Sequence, residues 1–227
     1  MQNKLAILCD KYLLAKQHVL SEGYEHEILW QLDRQNRTVT ETEFLKEASW
    51  VVLSSGMSER VVRAVFPKIS KAFLYWTSAS EIAAEKLRCR RNAMKTFGHE
   101  GKINAIIDIA CRVNEEGFNI VEDAVGRGDV NFFQQFPYLG PATSAHLAKN
   151  LGLSIAKPDR HLKRIADLYN YTDVNTMCSE IALEVGDDVS EIDLVLWRFA
   201  TIERDYLRHL SCHIHSNRTG KFYSNVQ

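Results

Sequence analysis

No stretch of this sequence stays apolar for the roughly 20 residues that a membrane-crossing helix needs. The N-terminal segment MQNKLAILCDKYLLAKQH is broken by acidic and polar side chains where a secretion signal would be continuously apolar. Cysteine is scarce: 5 residues, an odd number, scattered as Cys9, Cys89, Cys111, Cys178 and Cys212 with no CxxC pair. That excludes a disulfide scaffold, and the expectation is a reduced, cytoplasmic protein with no membrane contact. Without secretion, the glycosylation-type tripeptides at Asn36 and Asn217 carry no meaning. Neither sign of charge is in excess, with 28 Lys and Arg against 29 Asp and Glu, so a polybasic protein is excluded and any contact with a polyanion must rest on local patches. Proline and glycine are few, at 4 and 11, and β-type alternation is hard to find.

What is there is helical periodicity. Thr40-x-x-Glu43 is a capping-box signature ahead of Phe44, Leu45, Ala48, Val51 and Val52. Ser58 opens a second helix with Val61, Val62, Val65 and Phe66, which Pro67 is expected to close; an apolar segment then runs through Phe73, Leu74 and Trp76. Ser78-x-x-Glu81 begins another helix closed near Gly98, and KINAIIDIACRVNEEG places Ile103, Ile106, Ile107, Ala110 and Val113 on one face before Gly117. A helix over 175–185 precedes Gly186, and Ser190 is expected to cap a long helix running past Tyr206. The fold class is all-α, and 227 residues suffice for one core or for two small lobes.

The segment FPYLGPATSAHLAKNLGLSIAKPDRH, residues 136–161, is the most unusual. Gly140, between Leu139 and Pro141, is expected to let the chain turn tightly, and Pro141 and Ala142 suit the first turn of a helix ending near Gly152. Exposed N–H groups at a helix start bind phosphate without regard to base sequence, although most such corners only turn the chain. Asp159, behind Pro158, is a good N-cap for DRHLKRIADLY, the commoner job for such a residue. A carboxylate there also suits stabilising an oxocarbenium-like sugar and activating water.

Together the two features carry a resemblance. FPYLGPATSAHLAKN followed by KPDRHLKRIA resembles the helix–hairpin–helix plus Gly/Pro–Asp signature of the endonuclease III-like (HhH-GPD) DNA glycosylase superfamily. EASWVVLSSGMSERVVRAVFP is similar to that family's N-terminal helix–loop–helix, and KINAIIDIACRVNEEGFNIVEDAV to the segment leading to the hairpin, so the likeness spans about residues 41–170 in order. It implies two helical lobes with the active-site cleft between them, here 41–130 against 1–40 plus 131–227, and the hairpin motif at 129–151. It further implies double-stranded DNA containing a damaged or modified base as partner, base flipping, and excision that leaves an abasic site. Carried over, Tyr138, Leu139, Gly140 and Ala142 supply hairpin contacts to phosphate, and Asp159 is the catalytic carboxylate. Met57, in the loop 54–58, is the candidate wedge for the vacated stack.

Two departures sharpen the expectation. Bifunctional members carry a Schiff-base lysine two residues after the hairpin glycine, where this chain has Ala142. Lys149, about two turns on, is expected to point elsewhere, and Lys157 does not match the motif. A monofunctional, hydrolytic glycosylase is therefore expected, against a bifunctional glycosylase/lyase with a displaced lysine or a non-catalytic hairpin DNA-binding protein. The four-cysteine run that holds an iron–sulfur cluster in many relatives is missing, so no cofactor is expected. His209, Cys212, His213 and His215, with Cys9 and His18 at the other end, are reminiscent of terminal zinc ligation in some 3-methyladenine-specific relatives. Their spacing fits no standard finger, and no metal is expected.

Two weaker features remain. Arg88, Arg90 and Arg91 lie in an acid-free run, KLRCRRNAMK, that suits phosphate or plain solvation equally. Asp193 and Trp197, four apart on one helix face, suit an acid that hydrogen-bonds a flipped base and an aromatic that stacks on it, although a Trp at helical spacing is more often core. A monomer is expected.

Overall fold

The computed structural model describes residues 4–35 and 37–211. Among these residues it is helical, with no strand. In chain order the helices are α1 (Lys4–Ser21), α2 (Glu25–Arg34), α3 (Glu41–Ser54), α4 (Glu59–Ala72), α5 (Ala79–Ala84), α6 (Lys86–Met94), α7 (Glu100–Glu116), α8 (Asn119–Gly126), α9 (Pro141–Asn150), α10 (Arg160–Leu168), α11 (Val174–Val185), α12 (Val189–Ile202) and α13 (Tyr206–Leu210). The caps follow local chemistry. Thr40 and Glu43 form the full capping box of α3, and Asp173 and Asp188 accept backbone N–H groups of α11 and α12.

Two apolar cores form. The first gathers Val39 through Leu151, with Phe44 stacked on Phe133 and tilted against Phe118 and Phe136. The second joins the chain ends: α1 and Ile28 of α2 pack with α10–α13, burying Leu8, Tyr12, Met177, Ile192 and Leu196. The hairpin's apolar residues Phe133, Phe136, Leu139 and Leu147 belong to the first core, which therefore reaches past residue 130. Apolar side chains follow the surface they can bury, and those of the hairpin face α3.

Several boundaries differ from the sequence expectation. Pro67 lies inside α4, which continues to Ala72 because Ile69 and Ala72 are buried and hold the last turn despite one missing hydrogen bond. Leu74, Tyr75 and Trp76 form a left-handed turn, with φ of 56°, 55° and 65°, that drives Trp76 into stacking with Phe73 and Phe66. The helix begun at Ser78 breaks at Glu85, whose ψ of 15° separates α5 from α6. The C-terminal helix stops at Ile202, where extended Glu203 intervenes before α13.

Candidate active site

A cleft of about 620 Å³ runs between the two cores, within the range of small-molecule sites. From the first lobe come Trp50, Ser54, Met57, Phe66, His146 and Lys149; from the second come Trp30, Gln31, Lys157, Asp159, Asp193 and Trp197. The structure therefore brings together six residues singled out in the sequence from distant positions: Met57, Lys149, Lys157, Asp159, Asp193 and Trp197.

Asp159 is the N-cap of α10. Its Oδ1 accepts both cap hydrogen bonds, from His161 N at 2.8 Å and Leu162 N at 3.0 Å. Among the described residues Oδ2 accepts no such bond, so the cap uses one oxygen of a half-buried carboxylate that also lines the cleft. The two readings of Asp159 are compatible, because a carboxylate has more acceptor sites than a cap uses.

Deeper in the cleft Lys149 and Asp193 form a buried ion pair through Nζ and Oδ2, and Asp193 Oδ1 accepts from the Lys157 backbone N–H at 2.7 Å. Burial pushes the Asp193 carboxyl up, and the Lys149 ammonium opposes that. Lys149 was expected to point away. At seven residues from Ala142 it instead returns to nearly the same helix face, two turns deeper. Asp193 is thus the anchor of Lys149, and Trp197, half-buried one turn along α12, forms an aromatic wall with Arg198 4.6 Å from its ring centre.

Lys157 folds inward. Its amine lies 3.4 Å from Nδ1 of His146, which stands one turn beyond Ala142 on α9. Burial, then the nearby Lys149 charge, lowers the Lys157 ammonium below the usual lysine range, with Asp159, Asp193 and Glu59 opposing. Burial and the same two lysines hold His146 well below the ordinary histidine range, so it is neutral. Sequence reasoning missed His146, although its spacing of four from Ala142 was a signal. It also missed Gln31, which donates to Lys149 O at 3.0 Å, and Trp50, which meets Phe66 edge-on at 5.1 Å. Those three had no motif to mark them.

The loop 54–58 is pinned from behind. The buried Lys102 amine donates to Leu53 O at 2.7 Å and Ser55 O at 2.5 Å, satisfying carbonyls at the end of α3. Gly56 turns with φ of 69°, and Met57 then lines the cleft.

A shallower hollow of about 520 Å³ opens at the hairpin, lined by Ser55, Tyr138, Leu139, Gly140, Ala142 and neighbours. The turn is made differently from the expectation. Gly140 is extended, with φ −82° and ψ −176°, and the left-handed residue is Tyr138, at φ 65°. Tyr138 rests edge-on against His99, and Thr143 Oγ1 donates to Tyr138 O at 3.0 Å. A Cβ on Gly140 would meet nothing within 4 Å, so this glycine keeps the start of α9 open to the outside.

Arg88, Arg90 and Arg91 line neither hollow. Arg88 reaches Glu85 at 3.3 Å, Arg90 bonds Asn104 at 3.0 Å and pairs with Glu100, and Arg91 is exposed. Of the histidine–cysteine set, Cys212, His213 and His215 fall outside the described residues. Cys9 is buried in the second core, and His18 and His209 both stand edge-on to Phe199. Among the described residues no cluster of three or more His, Cys, Asp or Glu side chains could hold a metal, and no helix is long and apolar enough to cross a membrane.

No family model and no curated protein matches the sequence. Among solved structures, the 8-oxoguanine glycosylase/lyase of Methanocaldococcus jannaschii, in complex with 15-mer DNA containing 8-oxoguanine, is similar at a TM-score of 0.60 and 19% identity, over 86% of this chain and 98% of that one. This all-α chain has the fold of that DNA glycosylase/lyase, in agreement with the resemblance carried by the hairpin and its aspartate.

Proposed function

We propose that the protein is a DNA N-glycosylase that extrudes a damaged or modified nucleotide from the duplex and releases its base by hydrolysis, leaving an abasic site. One observation carries this reading: Asp159, whose Oδ1 caps its helix, lines a cleft of about 620 Å³ and has a second carboxylate oxygen that the cap does not use. That oxygen stabilises positive charge on the sugar as the glycosidic bond breaks and orients the water that adds to C1′. The open start of α9, with Tyr138, Leu139, Gly140 and Ala142, grips backbone phosphate, and Met57 fills the vacated stack. The side chain at 142 is a methyl group, which supports water as the nucleophile for base release.

The extruded base enters between Trp197 and the first-lobe wall of Trp50 and Phe66. The Lys149–Asp193 pair offers a donor and an acceptor side by side, which suits a purine edge bearing both. The structurally similar enzyme is named for 8-oxoguanine, so that lesion heads the test panel. Duplexes carrying 8-oxoguanine, alkylated purines, deaminated bases or foreign modified bases are incubated with the protein and run on gels with and without hot alkali. Cleavage after alkali for at least one lesion is expected. Binding without base release from any duplex would leave only a DNA-binding protein.

A further inference from the structure

The first turn of α7 touches both the hairpin and the loop 54–58. His99 accepts from the Lys102 backbone N–H at the start of α7 and stands edge-on to Tyr138, the left-handed residue of the hairpin turn. A Cβ on Gly101 would come within 2.5 Å of Tyr138 Oη, so the missing side chain lets the Tyr138 ring lie on α7. From the same turn Lys102, 3% exposed, sends its amine to Leu53 O and Ser55 O. Burial lowers the Lys102 ammonium below the usual lysine range, and no carboxylate offsets that. A buried amine without a counter-ion is costly to keep, and the two bonded carbonyls are what it secures.

The loop has little else to hold it. Among the described residues Ser54 Oγ is buried without a hydrogen-bond partner, and Ser58 makes no side-chain cap on α4. Gly56 is left-handed with open space around it, and a backbone bond from Met57 N to Ser54 O at 3.1 Å closes the turn. Ser55 lines the hollow at the hairpin, whereas Ser54 and Met57 line the cleft. The carbonyls that Lys102 binds therefore belong to a segment lying between the two hollows.

We propose that Lys102 is a positioning residue that fixes the loop 54–58 at a set distance from the hairpin, so that the phosphate grip and the Met57 wedge act in register on one duplex. This rests on the glycosylase reading above, in which the start of α9 holds phosphate and Met57 fills the vacated stack. Buried Lys102 acts through the loop and not on the DNA. Holding a duplex needs the hairpin alone, whereas extruding a nucleotide needs grip and wedge together at the right spacing, and a small misplacement there is costly. Lys102 therefore serves extrusion and leaves duplex binding alone.

The test uses the full chain and a duplex with a tetrahydrofuran site beside 2-aminopurine, whose fluorescence rises when the neighbouring stack opens. This reads extrusion whichever base is excised. The unsubstituted protein is expected to raise the fluorescence. Lys102→Met keeps the apolar stem without a donor and should lower the extrusion equilibrium by about tenfold, the scale of one or two lost hydrogen bonds, with affinity for undamaged duplex kept. Met57→Ala should lower it too, and the double variant should be no worse than Met57→Ala alone, because Lys102 acts through Met57. Lys102→Gln, with an amide donor on a shorter arm, should recover part of the loss, and it carries the comparison should Lys102→Met not fold. A native response in Lys102→Met, additive losses in the double variant, or weaker binding to every duplex overturns the proposal. So does unfolding of both Lys102 variants in thermal melting, which makes Lys102 a residue of the fold alone, or no rise with the unsubstituted protein. Base release from the lesion panel is scored separately. A protein that opens the stack but releases no base refutes the glycosylase reading alone, and one that releases base as well with Lys102→Met as without it refutes Lys102 alone.

Discussion

The two lobes are assembled from different kinds of chain. The first core closes within one continuous stretch, from Val39 to Leu151, and holds the hairpin, the loop 54–58, Trp50 and Phe66. The second is made from both ends, with α1 laid along α11 and α12, and holds Asp159, Asp193 and Trp197. Packing inside each lobe is apolar, and the seam between them is polar. Arg34 reaches Glu47 at 2.9 Å, and Gln31 bonds the Lys149 carbonyl at 3.0 Å. Asp159, the proposed catalytic carboxylate, and the hairpin, the proposed backbone grip, therefore sit on opposite sides of a seam held by hydrogen bonds. On the proposed reading, grip belongs to one lobe and chemistry to the other, and each half can be broken alone.

The largest effect is expected at Asp159. Asparagine caps a helix as well as aspartate does, so Asp159→Asn should leave folding intact and change only what Oδ2 does. Base release should fall by about 10²–10⁴-fold in single-turnover assays, the range for losing a positioned acid–base group, while duplex affinity is kept. A near-normal rate would remove Asp159 from the chemistry and the second lobe from its role.

Next in size is the seam. Glu47 is buried, and its removal leaves Arg34 and Asn150 without their shared acceptor. Glu47→Ala should destabilise by about 1–3 kcal/mol, the usual cost of leaving a buried polar group unsatisfied, here Asn150, while Arg34 keeps Glu43. Chemical denaturation measures this; an unchanged midpoint would show that the apolar cores alone hold the lobes in register.

On the first lobe, Gly140→Val should weaken binding to damaged and undamaged duplexes alike, by about tenfold for one or two lost hydrogen bonds of about 1 kcal/mol each. The fold should survive, because the added side chain enters open space at an extended residue and interferes only with an approaching phosphate. A loss confined to one lesion would mean that the hairpin takes part in base recognition.

The smallest effect is expected from pH. His146 is held neutral in the folded chain, with its ionisation lowered by burial and by Lys157 and Lys149. Below about pH 6.5 the unfolded chain binds a proton there that the folded chain does not. This contribution to stability is therefore present above that pH and declines as pH falls, by at most about 1.4 kcal/mol per pH unit. His146→Gln should flatten the acid limb of a stability–pH curve; an unchanged slope would place the acid sensitivity elsewhere.

By itself, the sequence determined the elements whose causes are local. The capping box at Thr40, the end of α7 at Gly117, the start of α9 at Pro141 and the capping of α10 by Asp159 depend on a few adjacent side chains, and all were legible. The four-residue spacing of Asp193 and Trp197 likewise placed both on one helix face. Only the tertiary structure decided what those side chains meet. Pro67 stays inside a helix because the residues after it are buried, and the hairpin turns at Tyr138 because the ring finds His99. Lys149 faces the cleft because Asp193, 44 residues away, holds it there. Caps and periodicity act over one turn of chain, whereas burial and ion pairing depend on neighbours that exist only once the two ends have closed over the second core.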